Sequence, residues 1–398
     1  MRRTNTFKLK PTKHQEKRLL KLADGCSRLW NEVTYRRRRT FFNGEMDWGT
    51  GEQYHKYKGL VGSAIAQQVI RKNNEAWKSF FALLKQYKEG NLPPHIDKVS
   101  PPGYWKDRDT GERYKKVLVR CDSYNLGGDV LKFGKMKIKW RGKNKWSGKQ
   151  GRLEIVYNRL SGYWYAYQPV EVEPLHQPIG DKRAYIDLGV RVPIMAEVDG
   201  VVWGYSGNSL LSDWWYWTNK ISECHSEIKR VNGKSKSKRL SKLYRMRRKR
   251  FRYQVNCIVK DFVEQCYTRS VSEIVMGNLT GIRDNGNNMG KKSNSMVHNF
   301  WSHAYLINKI VEKAEEHGIK VIQVDERGTS SQCPKCGSKN VVKKGRLFKC
   351  KDCGLEAHRD AVGSVNISIG HAQVRPVGVI NGAVARPLLS EVGTSHAC

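Results

Sequence analysis

A doubled cysteine pattern constrains the fold of this chain more than any other feature of its sequence. In CPKCGSKNVVKKGRLFKCKDCG, two Cys-x2-Cys pairs are separated by 13 residues, and each pair is followed by glycine. Four thiolates with this spacing can close a tetrahedral zinc site, and a site filled by four protein ligands is structural rather than hydrolytic. We therefore predict a zinc ribbon at about residues 328–356, with Zn2+ held by Cys333, Cys336, Cys350 and Cys353.

The charge of the chain indicates a polyanionic partner. Lys and Arg number 73 against 37 Asp and Glu, which gives a formal net charge of +36. A charge of this size favours nucleic acid as the partner and predicts binding that weakens steeply with salt. A protein that is merely basic is the alternative.

The densest part of this charge lies in residues 234–252, which hold eleven Lys or Arg and no acid. Apolar residues in and after this stretch recur at helical spacing, which predicts one long amphipathic helix. Such a run is often only a solvated face, but its density here favours phosphate binding. The residues predicted to contact nucleic acid are Lys238, Arg239, Lys242, Arg245, Arg247, Arg248, Arg250 and Arg252.

The sequence contains no apolar run of membrane-spanning length, and its amino terminus lacks the apolar stretch of a secretory signal. The six cysteines outside the doubled pattern are scattered, which suits a reducing compartment. We therefore expect a cytoplasmic, prokaryotic protein that associates with the nucleoid and not with a membrane.

Hydrophobic periodicity divides the chain into two halves. Residues 1–178 predict an α+β half, in which an N-terminal strand and a helical region at about 13–90 precede several strands. Residues 179–369 have an α/β pattern that includes the zinc ribbon, and residues 370–398 are predicted to be a flexible tail. We find no internal repeat.

Three polar positions in the second half stand where chemistry could occur. Asp187 ends the apolar run AYID, Asn278 ends the run EIVMGN, and Asp360 opens a helix of small residues after the ribbon. Taken singly, such residues are usually turn or cap residues. His358, beside Asp360, is also expected to be structural rather than a metal ligand.

The order of these features resembles the split RuvC nuclease of transposon-associated TnpB proteins and of compact type V CRISPR effectors. The resemblance covers essentially the whole chain, and DLG, TSSQCPKCG and RDAVGSVNI are its most specific words. It implies an RNase H-like (RuvC) α/β nuclease domain with an inserted zinc ribbon. It also implies a strand-rich, wedge-like barrel with an inserted helical region in the N-terminal half. The length of the chain favours TnpB, with a compact CRISPR effector as the alternative.

The same resemblance implies an RNA-guided DNA endonuclease. A guide RNA derived from the transposon would pair with target double-stranded DNA beside a short adjacent motif, while the protein contacts mainly backbone and shape. Two Mg2+ ions would activate water and stabilise the leaving oxygen. The catalytic positions implied are Asp187, Asn278 and Asp360.

Asn278 is the residue that does not fit this expectation. The family usually has Glu-Asp-Leu at this strand end, and some relatives have Gly-Asp-Leu, whereas this chain has Gly277-Asn278-Leu279. An amide brings no charge to a metal. One charge about 4 Å from a divalent ion is worth on the order of 8 kcal/mol at an effective dielectric near 20, before desolvation offsets it.

Several hypotheses follow. The amide is an engineered Asp→Asn change, or the chain is a naturally impaired nuclease that acts as an RNA-guided DNA-binding repressor. Alternatively, the enzyme is active through another acid, for which Glu326, Asp284 and Glu273 are the candidates, with Glu326 ranked first. A DNA-binding transposition factor that works without RNA is a further rival.

Overall fold

The computed structural model describes residues 1–92, 96, 98–107, 110–233, 235–278, 296–300, 302–324, 328–372 and 384–391. The chain divides into an N-terminal unit, Met1–Glu173, and a C-terminal unit, Pro174–Cys398. Both combine helices with sheets, so the predicted mixed α/β character is confirmed. None of the helices in the described ranges is both long and apolar enough to span a bilayer.

The N-terminal unit contains an eight-stranded sheet in which every pairing is antiparallel, with β6 paired to β8 beside the main path β2-β7-β8-β1-β5-β4-β3. Alternation along the strands buries Phe7 and Leu9 of β1, and Trp164 and Ala166 of β8, on one face. The strands are β1 (Arg2–Lys10), β2 (Lys116–Val119), β3 (Tyr124–Gly127), β4 (Val130–Phe133), β5 (Met136–Arg141), β6 (Lys149–Gln150), β7 (Leu153–Asn158) and β8 (Tyr163–Glu171).

Three helices lie between β1 and β2, namely α1 (Lys13–Phe42), α2 (Gly51–Val61) and α3 (Ser63–Lys88). Helix α1 begins with a capping box, because Thr12 accepts from the backbone of Gln15 and the Gln15 side chain accepts from the backbone of Thr12. The apolar stripes of the helices join the buried face of the sheet in one core. All three helices lie within the helical region predicted at about residues 13–90.

The C-terminal unit contains a six-stranded sheet with the order β13-β12-β9-β10-β11-β17. Strands β13, β12 and β9 are parallel, β10 and β11 continue antiparallel, and β17 pairs parallel with β11. The first three strands follow one another closely in the chain, which turns between Asp187 and Met195 and again between Val198 and Val201. The strands are β9 (Lys182–Asp187), β10 (Met195–Val198), β11 (Val201–Tyr205), β12 (Val271–Gly277), β13 (Lys320–Val324) and β17 (Leu388–Ser390).

Helices cover both faces of this sheet. Helices α4 (Asn208–Asn232), α5 (Lys238–Thr268) and α6 (His303–Glu316) share a core with Ile186 and Met276. On the opposite face, α7 (Arg359–Ala372) packs Ile367 against Tyr185 and Val275. A π-helical turn at Met296–Phe300 precedes α6.

A three-stranded sheet, β14 (Val341–Lys344), β15 (Leu347–Cys350) and β16 (Glu356–His358), lies between β13 and α7. Part of the segment predicted as a flexible tail is ordered, since α7 continues to Ala372 and Leu388–Ser390 form β17. Val384 is also buried against the three-stranded sheet, and its carbonyl accepts from the backbone of His358. A strand of three residues is too short to show a recognisable alternation, so the sequence did not predict β17.

Candidate active site and metal centre

The carboxyl end of β9 carries the first predicted acid, Asp187. Strand alternation directs Tyr185 towards α7 and Ile186 towards α5, so Asp187 faces α7. A Cβ atom at Gly363 of α7 would stand 2.6 Å from Asp187 Oδ2 and 3.0 Å from its Cγ. The carboxylate of Asp187 therefore lies against the bare backbone of Gly363, and glycine permits this approach.

Asp360 lies in the first turn of α7, where the N-terminal end of the helix dipole favours a negative charge. It is three residues before Gly363, a spacing that puts both positions on one helix face. Asp187 and Asp360 consequently line the same cavity, whose volume is about 520 Å³. Three arginines line it as well, Arg191, Arg346 and Arg359.

The Arg346 guanidinium donates to a carboxylate oxygen of Asp360. Arg346 lies in the turn between β14 and β15, and its carbonyl also accepts from the backbone of Arg359. The tip of the ribbon is thus joined to the first turn of α7. Arg346 is not among the residues predicted from the sequence.

The second predicted acid position lies at the same edge of the sheet as Asp187. Strands β12 and β9 are parallel, with Val275 opposite Tyr185 and Met276 opposite Ile186. The next pair in this register is Gly277 and Asp187, which places Gly277, a buried residue, on the α7 face. Asn278 is exposed one residue beyond the strand, and its N–H donates to the carbonyl of Val324 at 2.7 Å. Register therefore favours Gly277 over Asn278 as the position beside Asp187.

Of the acids considered as substitutes, only Glu273 lies within the described residues. Its carboxylate pairs with Arg183 at 2.9 Å and with Lys320 at 3.3 Å, near the amino-terminal ends of β9 and β13. Burial raises the pKa of Glu273, but hydrogen bonds from these two cations bring it below its usual range. Glu273 is therefore a charged structural residue at the opposite end of the sheet, while Asp284 and Glu326 lie outside the described residues.

The four cysteines of the doubled pattern come together, with their sulfur atoms all within 4.8 Å of one another. Cys333 Sγ lies 3.6 Å from Cys353 Sγ, and Cys336 Sγ lies 3.6 Å from Cys350 Sγ. Tetrahedral ligands at a Zn–S distance of about 2.3 Å stand about 3.8 Å apart, so the donor set fits Zn2+ in both chemistry and size.

The backbone around the thiols supports this arrangement. Gly337 and Gly354, each just after a Cys-x2-Cys pair, have φ values of 79° and 72°, a conformation that strongly favours glycine. The N–H groups of Cys353 and Asp352 lower the pKa of the Cys350 thiol to about 7. His358 is outside the cluster, and burial lowers the pKa of its imidazole.

The predicted basic residues lie along the first half of α5, but they differ in their surroundings. Arg247 is half-buried, with its guanidinium 4.0 Å from the ring centroid of Trp214 and donating to Thr218 at 2.9 Å. Burial also lowers the pKa of Arg247. The side chains exposed to solvent are those of Lys238, Arg239, Lys242, Arg245, Arg248, Arg250 and Arg252.

Helix α4, which the sequence analysis did not predict, neutralises part of this surface. Its Glu227 pairs with Arg239 at 2.9 Å, and its Asp213 pairs with Arg250 at 2.7 Å. Arg239 and Arg250 are therefore paired with acids of α4 although they are exposed, and Lys242, Arg245 and Arg248 are exposed as well.

Two family profiles match separate parts of the chain. Residues 167–283 match a family described as probable transposase, and residues 303–367 match the Cas12f1-like TNB domain. A CRISPR-associated endodeoxyribonuclease Cas12f1 of Sulfoacidibacillus thermotolerans is 38% identical over 122 residues, which cover 30% of this chain and 25% of that protein.

The fold is similar to a chain in a cryo-EM structure of a Cas12f1-sgRNA-target DNA complex, with a TM-score of 0.56 and 14% sequence identity. That alignment covers 90% of this chain and 83% of the other. The sequence is 34% identical over 421 residues to the TnpB-like protein ORF457 of Acidianus two-tailed virus, covering 97% of this chain and 89% of the relative. Since this identity extends over nearly the whole of both chains, the protein belongs to the TnpB-like family, and the predicted resemblance is confirmed.

Proposed function

We propose that the chain is an impaired RNA-guided DNA endonuclease of the TnpB type, which does not cleave as it stands because its acidic centre lacks the second carboxylate. The observation that carries this proposal is the shared cavity of Asp187, from the end of β9, and Asp360, from the start of α7. The sheet order, with three parallel strands followed by two antiparallel ones, supports an RNase H-like assignment for residues 179–369. Membership of the TnpB-like family supports guide RNA and target double-stranded DNA with a short adjacent motif as partners.

Asp187 and Asp360 would hold Mg2+, since hard cations prefer carboxylate oxygens. Bound Mg2+ supplies an activated water and charge stabilisation of the leaving oxygen. Two carboxylates suit one ion better than two, because Gly277 brings no oxygen-bearing side chain to the position beside Asp187. The predicted pair of ions is therefore a poor fit to the described residues, and we propose that Gly277 rather than Asn278 causes the deficit.

The arginines of the cavity have a separate task in this proposal. Arg191 and Arg359 supply positive charge where the phosphate of the cleaved strand would lie, and guanidinium groups bind phosphate well. Arg346 holds the Asp360 carboxylate in place from the ribbon. The Zn2+-binding ribbon would thereby affect the acidic centre only by positioning the Asp360 carboxylate.

The second candidate is a guided binder that does not cleave even when an acid is placed at position 277 or 278, and the glycine at position 277 is compatible with it as well. The decisive experiment is cleavage of guide-matched DNA in Mg2+ by the chain as it stands, by Gly277→Glu and by Asn278→Asp, with guided binding measured in parallel. Each variant is paired with one that also carries Asp187→Ala. We expect Gly277→Glu alone to cleave, because its carboxylate would enter the α7 face, and we expect Asp187→Ala to abolish that cleavage.

The other outcomes are equally informative. Cleavage restored by Asn278→Asp and not by Gly277→Glu would overturn the register argument. Cleavage by the unaltered chain that depends on Asp187 would indicate that another acid completes the centre. If none of the variants cleaves while guided binding persists, the endonuclease proposal fails and the chain is a binder.

A further inference from the structure

The outer face of the N-terminal sheet carries a row of tyrosines that the proposed function does not use. Along β8, Trp164, Ala166 and Gln168 are buried, whereas Tyr163, Tyr165 and Tyr167 alternate with them on the other face. Tyr163 is 47% exposed, and the rings of Tyr165 and Tyr167 lie 6.5 Å apart with 27° between their planes. A solvated strand face usually carries polar side chains, so three aromatic rings in sequence mark an interaction surface.

Cations surround this row on the neighbouring strands. Lys8 of β1 is directly opposite Tyr165, and on its other side it is opposite Arg141 of β5. Its ammonium lies 3.1 Å from the centroid of the Tyr163 ring. Lys10 and Lys139 form the next cationic pair along the same two strands. The strand registers thus place a ring and two positive side chains side by side on one surface.

Tyr167 also lines two cavities. One has a volume of about 490 Å³ and the other about 650 Å³, and Tyr167 and Glu154 line both. The Glu154 carboxylate is neutralised, because Lys116 lies 2.5 Å from it and Lys72 also contacts it. The other cations around the two cavities are Arg2, Arg71, Arg113, Lys115, Lys149, Arg152 and Arg159, and the other acids are Asp107, Glu112 and Glu171. Glu75 pairs with Arg152 at 2.6 Å and with Arg71 at 3.5 Å, so these two cations are already engaged.

We propose that the outer face of β8, with Tyr163, Tyr165 and Tyr167 at its centre, binds the unpaired bases of a single-stranded RNA. Bases stack on aromatic rings, and the flanking cations would contact the phosphates of the same strand. Alternate residues of a strand stand about 6.8 Å apart, so successive rings can receive successive bases of an extended strand. Charge complementarity selects nucleic acid over an apolar protein partner for this face.

Polar side chains beside the rings favour RNA over DNA. Thr6 is directly opposite Tyr167, Thr4 is opposite Pro169 and Asn158 is opposite Tyr163, and all three are exposed. Their hydroxyl and amide groups can hydrogen-bond to a ribose 2′-OH, which DNA lacks. The identity of this RNA as an unpaired segment of the guide rests on the proposed function; the binding itself does not.

The test is binding of the full chain to a fluorescent polyuridine of about ten nucleotides, a length within the usual range for such sites. Anisotropy is measured over a salt series and extrapolated to about 1 M salt, where the counterion contribution of the other basic surfaces disappears. The variants are Tyr165→Leu with Tyr167→Leu, the same pair changed to Phe, and Tyr87→Leu as a control. Tyr87 belongs to the same unit and is 59% exposed.

We expect the double Leu variant to lose roughly tenfold or more of the extrapolated affinity, because each stacked base contributes substantially to binding. The Phe pair should retain it, since stacking needs the ring and not the hydroxyl, and Tyr87→Leu should change nothing. Equal binding by the double Leu variant, or an equal loss in the Phe pair or the control, would overturn the proposal. A DNA strand of matched sequence that binds as well as the RNA would overturn the preference for RNA. Because no guide and no cleavage are involved, loss of guided cleavage with intact RNA binding would refute only the proposed function.

Discussion

Two regions of the C-terminal unit are built in opposite ways, the acidic edge of the six-stranded sheet and the basic face of α5. At the acidic edge, single close neighbours fix the functional atoms: Asp187 lies against Gly363, and Asp360 is held by Arg346. On α5, Lys242, Arg245 and Arg248 are exposed. The proposed metal chemistry would therefore depend on individual contacts, whereas the proposed phosphate binding would be spread over many interchangeable charges.

The cysteine cluster, like the acidic edge, depends on individual contacts. We therefore expect a single substitution to have its largest effect there. Cys350→Ser removes one of four thiolates from a cluster whose sulfurs lie within 4.8 Å of one another. Structural zinc in small sites contributes about 10–16 kcal/mol of apparent binding free energy at neutral pH. We expect the variant to lose bound Zn2+ and its ribbon to become sensitive to protease, as measured by metal analysis and limited proteolysis.

Cys121→Ser is the matched control, because Cys121 is an exposed cysteine outside the cluster. It should keep full zinc content and the protease resistance of the parent chain. A Cys350→Ser variant that retains stoichiometric Zn2+ and a resistant ribbon would contradict the assignment of a four-thiolate site.

Gly363→Ala tests whether the acidic edge depends on a single contact. The added Cβ would meet Asp187 Oδ2 at 2.6 Å, so the carboxylate must move. A displacement of about 1 Å at a catalytic group can cost about a hundredfold in rate. Alanine is also more favourable than glycine in a helix interior by roughly 1 kcal/mol. This gain offsets part of the strain at Asp187, so the free energy of unfolding should fall less steeply than the rate.

The measurement for Gly363→Ala is the Mg2+ concentration that half-maximally raises the thermal midpoint, which does not require cleavage. Gly370→Ala is the control in the same helix, since a Cβ there would meet nothing within 4 Å. We expect at least tenfold weaker Mg2+ binding in Gly363→Ala and none of this loss in Gly370→Ala, in line with the steep dependence of metal sites on ligand position. Equal Mg2+ responses in the two variants would show that Asp187 does not need this close approach.

The contrast between point contacts and spread charge also explains which features the sequence could predict. The cysteine ligands follow from local spacing, and Asp187 and Asp360 follow from their places at element ends within a family resemblance. The contact between Asp187 and Gly363 joins residues far apart in the sequence, so it required the packing of α7 on β9. The choice between Gly277 and Asn278 is a matter of strand register, and a shift of one residue reverses which side chain lies on the same face as Asp187.

In the N-terminal unit as well, the sequence alone does not show which face of a strand is exposed. Alternation in GYWYAY is typical of a strand. However, only the pairing of β8 with β1 and β7 shows that its tyrosines lie on the outer face with Lys8 beside them. The ion pairs between α5 and α4 could not be predicted from the sequence either, because the sequence did not predict α4 as a helix. Composition therefore predicts the class of partner that we propose, while the distinction between paired and exposed cations required the tertiary structure.

That distinction gives the smallest of the expected effects. Changing Lys242, Arg245 or Arg248 singly to Gln should lower the slope of log K against log salt for duplex DNA by about one unit, and the affinity at physiological salt by about fivefold. Arg239→Gln should do less, because Glu227 already engages that guanidinium at 2.9 Å and its removal also exposes an uncompensated acid. The three exposed sites should add almost independently, since no fixed geometry links them. If one of these single substitutions instead abolished binding, the basic face would depend on point contacts like the acidic edge, and the contrast between the two regions would fail.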